Sequence, residues 1–223
     1  SAPAAESLRI VRPKFALALQ PVQALLAAGK AAEALGRMAA VEAVPNRTPW
    51  ETWVMERTRA AAAQQTNNTP VLLSSLDAAL ATDQAEPAEQ LKLIEVMVNV
   101  ASRAHDHARV IRWAKRYREL GGTQDGVSLM AIQAQAASGD SAGAQAAMLA
   151  RVEAAEKLGQ PVPESHLRML LSLQFQAKDA GARQTLERLV RAYPRPEYWS
   201  DLVSVNARLP NLSDRALLEL YRL

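Results

Sequence analysis

The chain contains no cysteine. Disulfides, zinc–thiolate centres and thiol catalysis are therefore excluded. Aromatic residues make up only 4% of the sequence. Runs of β-branched or aromatic residues with a period of two are missing, so strands have no support. No stretch approaches the roughly 18 consecutive apolar residues of a membrane-spanning helix. Neither sign of charge dominates: 26 Lys and Arg stand against 23 Asp and Glu, interspersed, for a formal net charge of +3. That is a mild bias and not a nucleic-acid signature. Glycine-rich phosphate loops, His-Glu-x-x-His and Gly-x-Ser-x-Gly are also missing. With no group that could be assigned a catalytic role, the sequence predicts a protein that is not an enzyme and takes no cofactor.

What the sequence does have is alanine and a recurring turn. Hydrophobic residues reach 49% of the 223, with alanine supplying much of the count. Small side chains of high helix propensity favour closely packed helices throughout. Between the alanine-rich stretches lie Ala28-Gly29-Lys30, Thr66-Asn67-Asn68, His105-Asp106-His107, Ser138-Gly139-Asp140 and Ala177-Lys178-Asp179. From Lys30 to Asn68, Asp106, Asp140 and Asp179 the intervals are 38, 38, 34 and 39 residues. Recurrence at about 20–50 residues is the signature of a solenoid, and helix–turn–helix repeats fall inside it. The fold class expected is an all-α solenoid of about six helical hairpins.

Residues 1–17 read as an irregular segment interrupted by Pro3 and Pro13, with Leu8, Ile10 and Val11 as its apolar anchors. The first helix is expected near Ala18, with Pro21 in its first turn. A second helix over 31–44 presents Ala34, Leu35, Met38 and Val41 as one stripe. Thr48, Pro49 and Glu51 form a capping-box start for the next helix. Pro70 and Pro87 open two more, and Gly121-Gly122 suits a left-handed cap after the helix carrying Val110, Ala114 and Tyr117. Further helices are expected over 126–138, 141–158, 163–177, 181–193, 197–208 and 213–222. Ser213 reads as a cap, and the apolar stripe Ala216, Leu217, Leu220 and Leu223 is still running where the sequence stops. A terminal repeat normally has a polar outer face, so this stripe predicts a continuing chain or a packing partner.

The hairpin turns Gly29-Lys30-Ala31-Ala32-Glu33-Ala34-Leu35 and Gly139-Asp140-Ser141-Ala142-Gly143-Ala144 resemble those of tetratricopeptide-repeat proteins. So do Ala182, Leu186, Leu189 and Pro194 as a repeat ending, and Pro196-Glu197-Tyr198-Trp199 as a repeat start. The resemblance covers about residues 18–223 and implies a right-handed superhelix. Two features depart from that pattern: the uneven intervals, and Asn67-Asn68 where glycine is expected. They predict irregular hairpins there. The segments around Val11-Arg12-Pro13 and 43–49 resemble exported alanine-rich repeat proteins of Gram-negative bacteria, some associated with outer-membrane transport. That likeness implies a periplasmic protein, with a signal peptide removed before Ser1. A cytoplasmic location remains the alternative.

A solenoid of this kind is a scaffold for a protein or peptide partner, and the repeat motif itself specifies packing only. The first helix of each hairpin is expected to line a concave groove. Arg59, Lys92, Asn99, Arg103 and Gln133 are the candidate partner-binding residues, with Thr52, Met55 and Glu95 beside them. Cationic and amide side chains could hold an extended peptide by its backbone and carboxylates. The self-associating alternative uses Leu217, Leu220 and Leu223, and makes a homo-oligomer possible. A third reading is a non-catalytic arm of a cell-wall enzyme.

His105 and His107, with His166 elsewhere, are too few and too divergent on a helix for a metal site. Arg109, Arg112, Lys115, Arg116 and Arg118, interleaved with Trp113 and Tyr117, are the best nucleic-acid candidate. Tyr117 is in register with the core stripe, however, and Glu119 begins to offset the arginines, so no nucleic-acid partner is expected.

Overall fold

In the computed structural model, residues 9–207 are described. Helices account for all the regular structure among them: α1 Pro13–Ala27, α2 Ala31–Glu42, α3 Pro49–Gln65, α4 Thr69–Ala81, α5 Pro87–Arg103, α6 His107–Glu119, α7 Asp125–Ala137, α8 Ser141–Lys157, α9 Glu164–Ala177, α10 Ala182–Ala192 and α11 Pro196–Ala207. The architecture is all-α, a solenoid-type succession of helical hairpins. The chain divides into two compact units, Ser1–Met130 and Ala131–Leu223, the division falling within α7. The expected helix over 213–222, with Ser213 and the stripe Ala216, Leu217, Leu220 and Leu223, lies outside the described residues.

The recurring turn has one physical form. Gly29, Asn67, His105, Gly139 and Lys178 all take a positive φ, between 53° and 92°. The next residue's N–H donates back across the turn: Lys30 to Leu25 O, Asn68 to Ala63 O, Asp106 to Ala101 O, Asp140 to Gln135 O and Asp179 to Gln174 O, at 2.8–2.9 Å. This is the Schellman closure, which satisfies carbonyls the helix end leaves orphaned. Asn68, Asp106 and Asp140 then cap the following helix, accepting from the N–H of Val71, Arg109 and Gly143. The expectation of irregular hairpins at Asn67-Asn68 and Asp106 is thus corrected. Asparagine and histidine adopt the left-handed conformation that glycine takes elsewhere, at some backbone cost, and the turn is unchanged.

The first unit is built on three hairpins, α1/α2, α3/α4 and α5/α6. Its N-terminal core joins Phe15, Leu19, Val22, Ala34, Met38, Val41 and Val44 with Met55 and Ala62 of α3. Here α1 starts at Pro13, not near Ala18, because Phe15 is wholly buried and anchors the first turn. Pro21 therefore stands inside the helix and not in its first turn. An interior proline gives up one backbone bond and costs about 3 kcal/mol. Burial of Phe15, Leu19 and Val22, at about 2 kcal/mol each, offsets it. Ile10 is 57% exposed and is no anchor, whereas Val11 packs against the core.

Polar pairs about one repeat apart tie each hairpin to the next. In the first-helix layer, Arg57 of α3 pairs with Glu89 of α5. In the second-helix layer, Asp77 of α4 accepts from Arg109 Nε at 2.7 Å, Arg112 Nη2 at 2.5 Å and Trp113 Nε1 at 2.6 Å, all on α6. The second unit repeats the scheme: Arg188 of α10 reaches Glu156 of α8 at 2.9 Å, and Glu164 of α9 accepts from Arg195 at 2.9 Å and from the Tyr198 hydroxyl. Its core is the buried face of α9, including Leu167, Leu170 and Leu171, against Leu186, Leu189 and Val190 of α10.

Candidate functional site

Of the sequence-derived groove residues, those in the first unit are spread over α3 and α5. Arg59 is 17% exposed and bound on both sides, by Glu56 at 2.8 Å and by Glu42. Glu56 itself is buried, which pushes its carboxyl up against the opposing pull of Arg59. Met55 does not face a groove: it is 2% exposed, in the core. Thr52 is half-buried. Along α5, Lys92, Asn99 and Arg103 are exposed on one face, as their helical spacing requires. Asn99 donates to the Glu95 carbonyl at 2.8 Å, and the Glu95 carboxylate accepts from the Tyr117 hydroxyl at 2.7 Å.

The basic stripe on α6 is largely occupied. Arg109 pairs with Asp77 and Asp106, Arg112 with Asp77, and Arg116 with Glu119 at 3.8 Å. Arg112 also lies over the Trp113 ring, and Tyr117 is buried. The rings of His105 and His107 are 6.1 Å apart, edge to face. No group of three or more metal-ligating side chains occurs among the described residues.

Gln133 alone of the groove residues lies in the second unit, and it lines a hollow there. This hollow, about 460 Å³, is bounded by Ile132, Gln133 and Ala136 on one wall and by Ser165, Arg168, Met169, Ser172, Leu173 and Gln176 of α9 on the other. A second hollow of about 440 Å³ lies on the other shoulder of α9. It is lined by Arg168, Leu171, Ser172, Phe175 and Gln176 and by Glu197, Tyr198 and Asp201 of α11. Arg168, Ser172 and Gln176 belong to both.

Helical periodicity builds this surface. Leu167, Leu170, Leu171 and Gln174 are buried, so the positions that alternate with them on the opposite face, Ser165, Arg168, Ser172 and Gln176, are exposed. Met169 and Leu173 form one apolar shoulder of the ridge and Leu171 and Phe175 the other. At the start of α9 the Glu164 tie to Arg195 and Tyr198 fixes α11 beside it. The Tyr198 hydrogen bond, with Arg195 behind it, holds the Glu164 carboxyl below its usual range. Burial and the same carboxylate push the Tyr198 phenol up. Arg168 lines both hollows and makes no hydrogen bond or ion pair with any described residue, although its charge acts with that of Arg195 on the Glu164 carboxyl one turn earlier.

Sequence reasoning missed Arg168, Ser172 and Gln176. Their i, i+4, i+8 spacing was available as a polar stripe, but polar stripes mark any solvated helix face. Only the neighbouring helices turn this one into the floor between two walls.

No family model and no curated protein matches the chain. Among solved structures the chain is similar to MamA 41-end from Desulfovibrio magneticus RS-1, at 10% sequence identity, with 91% of this chain and 100% of that chain covered and a TM-score of 0.46.

Proposed function

We propose that this chain is a non-catalytic scaffold that binds a protein partner through an extended segment laid across α9 of the second unit. One observation carries the reading: two hollows of about 460 and 440 Å³ adjoin along the exposed row Arg168, Ser172 and Gln176. Small ligands are held in cavities that enclose most of their surface. These hollows are open, and they continue one another over a ridge. That shape suits a chain that crosses both and presents side chains to each. The row offers a guanidinium, a hydroxyl and an amide, groups that pair with peptide carbonyls, N–H groups and carboxylates. Gln133 adds a second amide on the opposite wall. Within the first unit, Lys92, Asn99 and Arg103 of α5 offer a separate exposed polar face to a protein partner, and Arg59 contributes by fixing α3.

A periplasmic location, in an envelope or transport assembly, is the setting we infer. It is supported by the resemblance to exported repeat proteins and by the absence of cysteine. No helix among the described residues is long and apolar enough to cross a membrane.

The test is to fill the hollows. Ser172→Trp places a large ring on the shared ridge without touching the buried face of α9. Partner recovery from the native host is expected to fall severalfold while helicity stays unchanged. Undiminished recovery of the same partner would remove α9 from the binding surface.

A further inference from the structure

Charges on neighbouring helices of this chain usually close on one another, as Arg57 does on Glu89, Arg109 on Asp77 and Arg188 on Glu156. The second hollow is different. Arg168 on its α9 side and Glu197 and Asp201 on its α11 side are all exposed, yet none is joined to any described residue by an ion pair or hydrogen bond. Leu171 and Phe175 line the same hollow. Phe175 is 44% exposed and is the one aromatic among the large exposed hydrophobics of the described residues. An exposed phenyl ring thus shares a concavity of about 440 Å³ with opposite charges that do not pair with one another.

Resting on the peptide-binding reading above, we infer that the occupant of this hollow is an extended peptide segment of mixed charge. A large apolar side chain packs on Phe175 and Leu171. An acidic side chain on one flank pairs with Arg168, and a basic side chain on the other pairs with Glu197 and Asp201. The arrangement selects by attraction and by repulsion together. A uniformly acidic segment meets Glu197 and Asp201, and a uniformly basic one meets Arg168. Nucleic acid is rejected on the same ground, since its backbone would carry phosphates past two carboxylates. The guanidinium favours a carboxylate over a neutral acceptor because it can donate two parallel hydrogen bonds to it.

Selection of displayed random peptides on the whole chain tests this. The enriched pool is expected to carry an acid and a base on opposite sides of a large apolar residue. On Arg168→Glu the acid preference is expected to invert to a base, and peptides selected on the natural chain should lose about tenfold or more in affinity. The double variant Glu197→Lys with Asp201→Lys is expected to invert the other position and serves as an independent check, and circular dichroism confirms that each variant is folded. Peptides enriched without the paired charges, or an unchanged preference on both variants, would overturn the inference while leaving peptide binding intact. No enrichment of any peptide would overturn the inference and the peptide-binding reading with it.

Discussion

The guanidinium of Arg12 grips the carboxylate of Glu51 in two-pronged fashion, Nε at 2.9 Å and Nη2 at 2.7 Å, although 39 residues separate them. Glu51 is wholly buried, and it also accepts from the backbone N–H groups of Arg12 and Thr48 at 3.0 and 3.1 Å. The same carboxylate therefore closes the capping box of α3 and fixes the entry to α1. Arg12 reaches on to the Pro45 carbonyl at 3.2 Å, so the loop after α2 is held as well.

Replacing Glu51 by Gln leaves the Arg12 guanidinium without its counter-charge and turns one of the two acceptor oxygens into a donor, so one of the two backbone N–H groups loses its partner. Leaving a buried backbone N–H without its acceptor costs about 1–3 kcal/mol. Chemical denaturation should show that loss, whereas Glu33→Gln, in an exposed pair with Lys30 at 3.4 Å, should change stability by less than about 0.5 kcal/mol.

The pair also sets a pH dependence. Hydrogen bonds from Arg12 hold the Glu51 carboxyl at about 2 against burial, which acts to raise it. A carboxyl lowered on folding stabilises the native state fully above its unfolded value of about 4.5, and that contribution is lost as pH falls through about 2. The melting-temperature difference between the natural chain and Glu51→Gln should narrow as pH drops from about 5 towards about 2. A difference that stays constant over that range would contradict the assignment.

The left-handed residue at each hairpin turn predicts a gain from glycine at an exposed position. His105, with φ 56°, pays for a conformation that glycine adopts freely. His105→Gly should raise stability by about 1 kcal/mol, and Gly139→Ala should lower it by a similar amount. Equilibrium unfolding of both variants checks the pair, and a loss on His105→Gly would mean that the ring itself holds the turn.

Asp77 gathers two arginines and the Trp113 indole of the next hairpin. Asp77→Ala should cost about 2 kcal/mol, since three donors lose a charged acceptor at once. Trp113 emission should shift to the red as its N–H turns to water. An unshifted spectrum would show that the indole is held by packing alone.

The local parts of this fold were legible. Thr48, Pro49 and Glu51 announce a helix start because the capping box is a contact within one turn. Turn positions were legible for the same reason, but their uniform geometry was not, because asparagine, histidine and lysine do not declare a positive φ as glycine does. The start of α1 was misjudged because Pro3 and Pro13 read as breaks. Phe15 reverses that reading only through contacts with residues of α2 and α3 distant in sequence. The hollows were the least legible. Gln133 was singled out from its place on the first helix of a hairpin, yet its neighbours Ser172 and Gln176 come from another hairpin. Arg59 carried the charge expected of a groove, but the exposed Glu42 and the buried Glu56 already claim it.

A photoreactive side chain placed at Ser172 and, separately, at Arg191 tests the central claim most directly. Both positions are exposed, but only Ser172 lies on the ridge shared by the two hollows. With the full chain expressed in its native host, irradiation should cross-link a protein partner from Ser172 and not from Arg191. Equal cross-linking from both positions, or none from Ser172 alongside capture from Arg191, would contradict the assignment of α9 as the docking surface.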